Sequence, residues 1–411
     1  MKHAKKRAFH FEKKSKKDGR KVLSYEELPL EQYEDTPEEK KKVNLDKKKI
    51  LVACTIVVIL VVAVVLVFTA GSCDSCSGIQ NGAEFTENVS GSDVEPGNFQ
   101  GFGKGLAYAS DTGFVYLSSQ GEVVYKEQLK FKTPVLKVAG SKAIVFDCGA
   151  KEFAVFSDTK KTYSGKTDST VYLADITSGG VYALITDESG YNGKLTVYSP
   201  DNSVRYEYSF SDYYITSASL NGRGDEAVVC GVSAEGGTFK SAVYVLSFKQ
   251  QGAKAFKSIS QDIILDCDYL SDDAVCVVGK EKAYTLKGGD FSEFGSYSYE
   301  GMTLTAYDIN SDMDRLTLSL SRSGDGRNCN IVILNARAEA ENVLETNEKL
   351  TSLSTFKDRI AALSGSSVML YNDKGELLEN REVLANQKQL RFLSTHWLYV
   401  LGIDQITSIH F

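Results

Sequence analysis

Apolar positions along the chain fall into two regimes. The first is a single run at residues 50–70, ILVACTIVVILVVAVVLVFTA, 21 residues without charge, proline or glycine. At ~1.5 Å of rise per residue a helix of that length reaches about 31 Å, one hydrocarbon thickness. Inside lipid every backbone amide needs a partner within its own segment, so the run predicts a transmembrane helix. The second regime occupies residues 98–411. Apolar residues there come in short alternating stretches, among them Val115-Tyr116-Leu117, Ala143-Ile144-Val145-Phe146, Lys194-Leu195-Thr196-Val197-Tyr198 and Ala242-Val243-Tyr244-Val245-Leu246. Each ends in Gly, Asp, Asn or Ser, which predicts strands and tight turns. No persuasive helical period follows the apolar run.

One strand type recurs at Val135, Val171, Ile215, Ile264, Leu304, Leu353 and Leu390, in steps of 36, 44, 49, 40, 49 and 37 residues. Val115-Tyr116-Leu117-Ser118-Ser119-Gln120-Gly121-Glu122 resembles Met369-Leu370-Tyr371-Asn372-Asp373-Lys374-Gly375-Glu376. A unit of about 40–45 residues with four short strands is a propeller blade. The fold class expected is therefore all-β, a β-propeller. Six units run from about 133 to 385, one more from about 98 to 130, and residues 387–411 hold three strands. A strand near residues 84–90 would complete the last blade, close the ring and remove its exposed edges. That makes eight blades, with seven as the alternative.

The stretch Val181-Tyr182-Ala183-Leu184-Ile185-Thr186-Asp187-Glu188-Ser189, the strand Lys194 to Tyr198, and Val232-Ser233-Ala234-Glu235-Gly236-Gly237 followed by Val243-Tyr244-Val245-Leu246 carry a resemblance. Together with the apolar run, they resemble a domain-of-unknown-function family of single-pass, membrane-anchored β-propellers from clostridia and related Gram-positive bacteria. The resemblance implies an extracytoplasmic propeller and no assigned activity. The Trp-Asp dipeptide of WD40 repeats is missing, since the one tryptophan, Trp397, precedes Leu398.

Charge sets the expected orientation. Residues 1–49 carry sixteen Lys+Arg and ten Asp+Glu, net +6, which leaves −13 on the rest of a chain with 47 basic and 54 acidic residues. Basic residues beside a span stay cytoplasmic. Four segments are thus expected: a disordered cytoplasmic tail (1–49), a retained signal anchor (50–70), a flexible linker (71–97) and an extracytoplasmic propeller (98–411). Localisation is the cell membrane, single-pass, N-terminus inside. The tail's lysines suit anionic lipid headgroups rather than nucleic acid, and residues 23–30 form a solvated linker or a short docking motif.

Candidate chemistry is sparse. Beyond the anchor the histidines are His396 and His410, expected as ordinary surface or strand residues. The alternating oxygens of Asp308, Asn310, Asp312 and Asp314 lack the glycine and distal glutamate of a calcium loop and read as turn chemistry. Cys73 and Cys76 are a local disulfide, an intermolecular one or incidental thiols. Cys148, Cys230, Cys267, Cys276 and Cys329 are expected as buried thiols, with a Cys267–Cys276 hairpin disulfide as the alternative. No catalytic residue, cofactor site or metal site is assigned. Three long loops between second and third strands would share one face: 187–193, 233–239 and 321–328. They offer Glu188, Tyr191, Asn192, Glu235, Phe239, Arg322, Asp325 and Arg327 as a candidate partner face. The expected function is a binding or scaffold module for envelope proteins or ligands. The alternative is an extracytoplasmic propeller enzyme, a quinone-dependent dehydrogenase or a glycan-active one.

Overall fold

The computed structural model describes residues 84–89, 91 and 94–411. The expected tail and anchor, and Cys73 and Cys76, lie outside them. No helix among the described residues is long and apolar enough to cross a membrane.

The strands form eight four-stranded antiparallel blades. The first strands of the blades are Phe99–Phe102, Pro134–Ala139, the end of Lys160–Ile176, Tyr214–Leu220, Ile264–Ser271, Thr303–Asn310, Ser352–Phe356 and Gln389–Phe392. Each packs against first strands of its neighbours, so together they line a central channel. The second and third blades share one 17-residue strand, Lys160–Ile176. It is the fourth strand of the second blade and the first strand of the third, which merges the two blades into a seven-stranded sheet. Second and third strands are packed on both sides and read as apolar runs: Ala274–Gly279 is buried throughout. Fourth strands keep one wet face and alternate, as in Glu293–Ser298.

Eight apolar clusters sit between neighbouring blades, one at every interface around the ring. The cluster between the eighth and first blades holds Val94, Phe99, Leu106, Tyr108, Trp397, Tyr399 and Ile406, all buried. Burying each large side chain of this kind contributes roughly 1.5–3 kcal/mol.

The ring closes as the repeat arithmetic requires. Thr86–Asn88 pairs antiparallel with Gln405–His410, Thr86 opposite Thr407 and Asn88 opposite Gln405. Phe85 N–H donates to Ser408 Oγ at 2.8 Å, and Ser408 N–H donates to Phe85 O at 3.0 Å. The Phe85 ring lies 5.7 Å from that of Tyr399. Gly121, at φ +84°, gives Phe85 its space: a Cβ there would sit 2.4 Å from Phe85 Cδ2. Gly121→Ala is expected to lower stability by about 1–3 kcal/mol through overpacking and positive-φ strain, read from the denaturant midpoint.

Register corrects the hairpin-disulfide alternative. Cys267 pairs with Val277 and Cys276 with Asp268, so the two cysteines are diagonal neighbours on opposite faces of the sheet. Cys267 joins the cluster between the fourth and fifth blades, and Cys276 the one between the fifth and sixth. All five propeller cysteines are free thiols, and only Cys148 is not buried. A maleimide time course read by peptide mapping should therefore label Cys148 first among these five in the native state. Cys230, Cys267, Cys276 and Cys329 should label only with unfolding.

Candidate binding face at the channel mouth

Because strands alternate in direction within a blade, the loops between second and third strands share one face with the connections between blades. The start of every first strand opens onto that same face. In the third to sixth blades the first strand carries a β-bulge close to this end. The register slips between Val171 and Leu173, Ile215 and Ser217, Ile264 and Asp266, and Leu304 and Ala306. The extra residues are Tyr172, Thr216, Leu265 and Thr305. The first strands of the first, second, seventh and eighth blades run without a slip. A bulge leaves one residue out of the ladder and re-aims its side chain. Thr216 and Thr305 turn their hydroxyls back to Cys230 O and Ser319 O. Tyr172 and Leu265 remain 42% and 46% exposed.

Five more large side chains stand on this face: Tyr191 at 50%, Phe239 at 53% and Tyr214 at 65% exposure, and, away from these, Leu384 at 61% and Ile403 at 54% on the connection into the eighth blade and on that blade. Tyr172, Tyr191, Tyr214, Phe239 and Leu265 fall on three successive blades, the third, fourth and fifth. On the opposite face, exposed Val123, Val204 and Leu377 are spread over outer strands of the first, third and seventh blades.

The sequence-derived candidates divide. The expected loop at 233–239 is an extension of a ten-residue hairpin, Glu226–Glu235 with Thr238–Ser247. Gly236 and Gly237, at φ +60° and +80°, form the two-residue turn that matches strand twist. Glu235 pairs with Thr238 at the tip, and Phe239 lies beside it opposite Ala234. Tyr191 projects from the third-blade loop. Asn192 is spent on holding that loop: its N–H donates to Phe210 O and its Nδ2 to Ser211 O, both at 2.7 Å. Glu188 is half-buried, 4.0 Å from Lys194. Arg322, Asp325 and Arg327 sit on the sixth blade, beyond the fifth blade's short turn at Lys280 and Glu281. They pair locally, Arg322 with Glu345 at 3.7 Å and Arg327 with Asp325 at 3.7 Å. Tyr191 and Phe239 therefore join one surface, and the sixth-blade trio stands apart from it.

Below the bulges the channel carries charge that sequence reasoning missed. Asp266 Oδ1 accepts from Ser217 Oγ at 2.7 Å and Oδ2 from Tyr307 O–H at 2.9 Å, tying the fourth, fifth and sixth blades together. Asp268 Oδ1 accepts from Ser219 Oγ at 2.6 Å and from its neighbour's Tyr269 N–H at 2.7 Å. Leu220 N–H donates to Asp175 Oδ2 at 2.7 Å. Asp308 Oδ2 accepts from Thr355 N–H and Oγ1 at 2.6 and 2.7 Å, and Arg391 reaches its Oδ1 at 3.4 Å. Asp308 thus belongs to a first strand, and the following turn is a short 3₁₀ segment, Ser311–Met313. These bonds staple successive first strands.

Burial pushes the Asp175 and Asp308 carboxyls upward. Burial, with the charges of Asp175 and Asp266, pushes Asp268 up to about 7. Lys137, from the second blade, faces this group: burial opposes its charge, but Asp175, Asp266 and Asp268 more than offset that and raise its pKa. Among the described residues, no three His, Cys, Asp or Glu side chains converge as metal ligands would. A signal for the channel did exist. Lys137, Ser217 and Asp266 lie two positions after the recurring strand markers, and Asp175, Ser219, Asp268 and Asp308 four positions after.

Solved structures of several propellers are similar in fold. Saccharomyces cerevisiae Sqt1 matches at a TM-score of 0.59 and 7% identity, over 80% of this chain and 98% of that one. BamB from Moraxella catarrhalis matches at 0.52 and 13%, over 80% and 100%. The β-propeller domain of Myceliophteria thermophila Cps50 (Swd1) matches at 0.50 and 12%, over 80% and 100%. At these identities the likeness is one of fold. No curated protein matches the chain in sequence. Residues 80–410 match one family model, a span that takes in the closing strand and all eight blades, and the chain belongs to that family, a family of unknown function (DUF5711).

Proposed function

We propose that this propeller is a binding module that holds a protein partner at the outer surface of the cell membrane. The observation that carries the reading is the run of Tyr172, Tyr191, Tyr214, Phe239 and Leu265 across three consecutive blades of one face. Five large exposed side chains on three successive blades of one surface fit an interaction site. Loops and hairpin extensions held on a rigid scaffold are where binding residues concentrate. The bulged first strands add to this, because bulges recur next to functional sites.

Placement outside the membrane rests on residues 50–70, with Lys47, Lys48 and Lys49 on their N-terminal side. Proximity labelling in native cells tests both parts. One label is fused beyond Phe411 and a second to the N-terminal tail. Repeated marking of the same envelope proteins by the outer label supports the module. Marking of cytoplasmic proteins by that label contradicts the topology.

A further inference from the structure

The chemistry of the face narrows what it holds, given the binding-module reading on which this step rests. We infer that its partner is a polypeptide segment bearing lysine or arginine beside aliphatic side chains.

Acid predominates around the aromatic residues. Asp187 is exposed and accepts one bond, from Tyr172 O–H at 2.9 Å. Asp212, two residues before Tyr214, is exposed and has no ion pair within the described residues. The lysines nearby are occupied. Lys194 pairs with Glu207 at 2.7 Å, Lys166 with Glu152 at 2.7 Å, and Lys151 donates to the Asp168 carbonyl. Beneath the mouth Asp175, Asp266, Asp268 and Asp308 face Lys137 and Arg391, so acid outnumbers base in the channel below the rim. A low-dielectric cleft focuses the field of such an excess.

Tyrosine and phenylalanine faces also attract ammonium and guanidinium groups, and they cover the aliphatic stems that carry them. An acidic segment would meet repulsion at Asp187 and Asp212 and at the channel mouth. A neutral glycan would stack on the rings and hydrogen-bond the carboxylates, without the salt dependence that a cationic segment shows. The hairpin tip at Glu235 to Thr238 and the loop carrying Tyr191 stand on adjacent blades of this face.

The test uses the full chain in nanodiscs of neutral lipid and fluorescence anisotropy with two labelled ten-residue probes. One alternates lysine and leucine, and the other glutamate and leucine. The lysine probe is expected to bind, and to weaken as salt rises. Asp187→Lys with Asp212→Lys should lower its affinity by tenfold or more, and Tyr214→Ser with Phe239→Ser by about tenfold. Leu377→Ser, on the opposite face, should leave it unchanged.

Equal affinity for both probes in the parent chain overturns the inference, as does a lysine-probe affinity indifferent to the face substitutions. Saturable binding of chitooligosaccharide that Tyr214→Ser abolishes, with no peptide bound, also overturns it in favour of a glycan. Reproducible envelope partners in the proximity experiment, combined with no charge preference here, would remove the basic segment and leave the binding module standing.

Discussion

Asp268→Asn is expected to make the protein more stable at pH 8 and to leave it unchanged near pH 4. In the folded state the carboxyl titrates at about 7, against an ordinary 3.8. Below about pH 4 it is protonated folded and unfolded, and costs nothing. Between pH 4 and 7 the unfolded chain ionises it while the fold resists, so stability falls as pH rises, and the loss is complete above pH 7. At about 1.4 kcal/mol per pH unit, the full difference is about 4.5 kcal/mol. Partial contact with channel solvent reduces it, and a gain of about 2–3 kcal/mol at pH 8 is expected. Geometry favours the substitution. Both hydrogen bonds to Asp268, from Ser219 and from Tyr269 N–H, end on Oδ1. An asparagine oxygen can keep both and turn its amide toward Asp175 and Asp266. Lys137 retains those two carboxylates. Urea unfolding of parent and variant at pH 4 and pH 8 measures the difference directly. A variant less stable at pH 8 would mean that Asp268 is held as a needed anion.

Loss of the closing strand is expected to have the largest effect of any short deletion. Residues 84–89 supply the fourth strand of the eighth blade. Besides the ladder to Gln405–His410, Val89 N–H donates to Asp404 O at 2.8 Å, and Glu84 accepts from His410 N–H at 3.0 Å and pairs with Arg381. Without them the strand Gln405–His410 becomes a bare edge, and the cluster between the eighth and first blades loses Phe85 and Val89. Phe85→Ala alone should cost about 2–4 kcal/mol. Deleting residues 84–89 should cost more, and should give a soluble domain that associates through the exposed edge. Size-exclusion chromatography with urea unfolding of both variants checks this. A monomer of parent stability after the deletion would contradict closure by this strand.

Blade architecture was legible because its determinants are local. Second and third strands are sandwiched between sheets and show as apolar runs, and turns announce themselves with Gly, Asp and Asn. Even the closing strand was foreseeable, since residues 387–411 hold three strands where a blade needs four. The channel was not legible in the same way. Ser217 and Asp266 are 49 residues apart and meet only because one blade separates them, and the same holds for Ser219 and Asp268. In a half-exposed strand a polar residue reads as solvent-facing, and nothing local says that Asp175 or Asp268 faces a crowded channel. The bulges were equally hidden. Tyr172 and Leu265 follow Val171 and Ile264 as ordinary strand residues would, and only the register with the second strand reveals that they are left out of the ladder. Long loops pointed to this same face in the third and fourth blades. Loop length alone could not separate Tyr191 and Phe239, which stand free, from Asn192, Arg322 and Arg327, which bind their own surroundings.

The most direct test of the binding face is site-specific photocrosslinking in native cells. A photoreactive amino acid replaces Tyr191, Phe239 or Tyr214 on one face, and Val204 or Leu377 on the other, in the full-length chain. The account predicts that the first three positions crosslink to the same partner and that Val204 and Leu377 do not. Equal crosslinking from both faces, or a defined partner captured from Val204 and Leu377 alone, would contradict it.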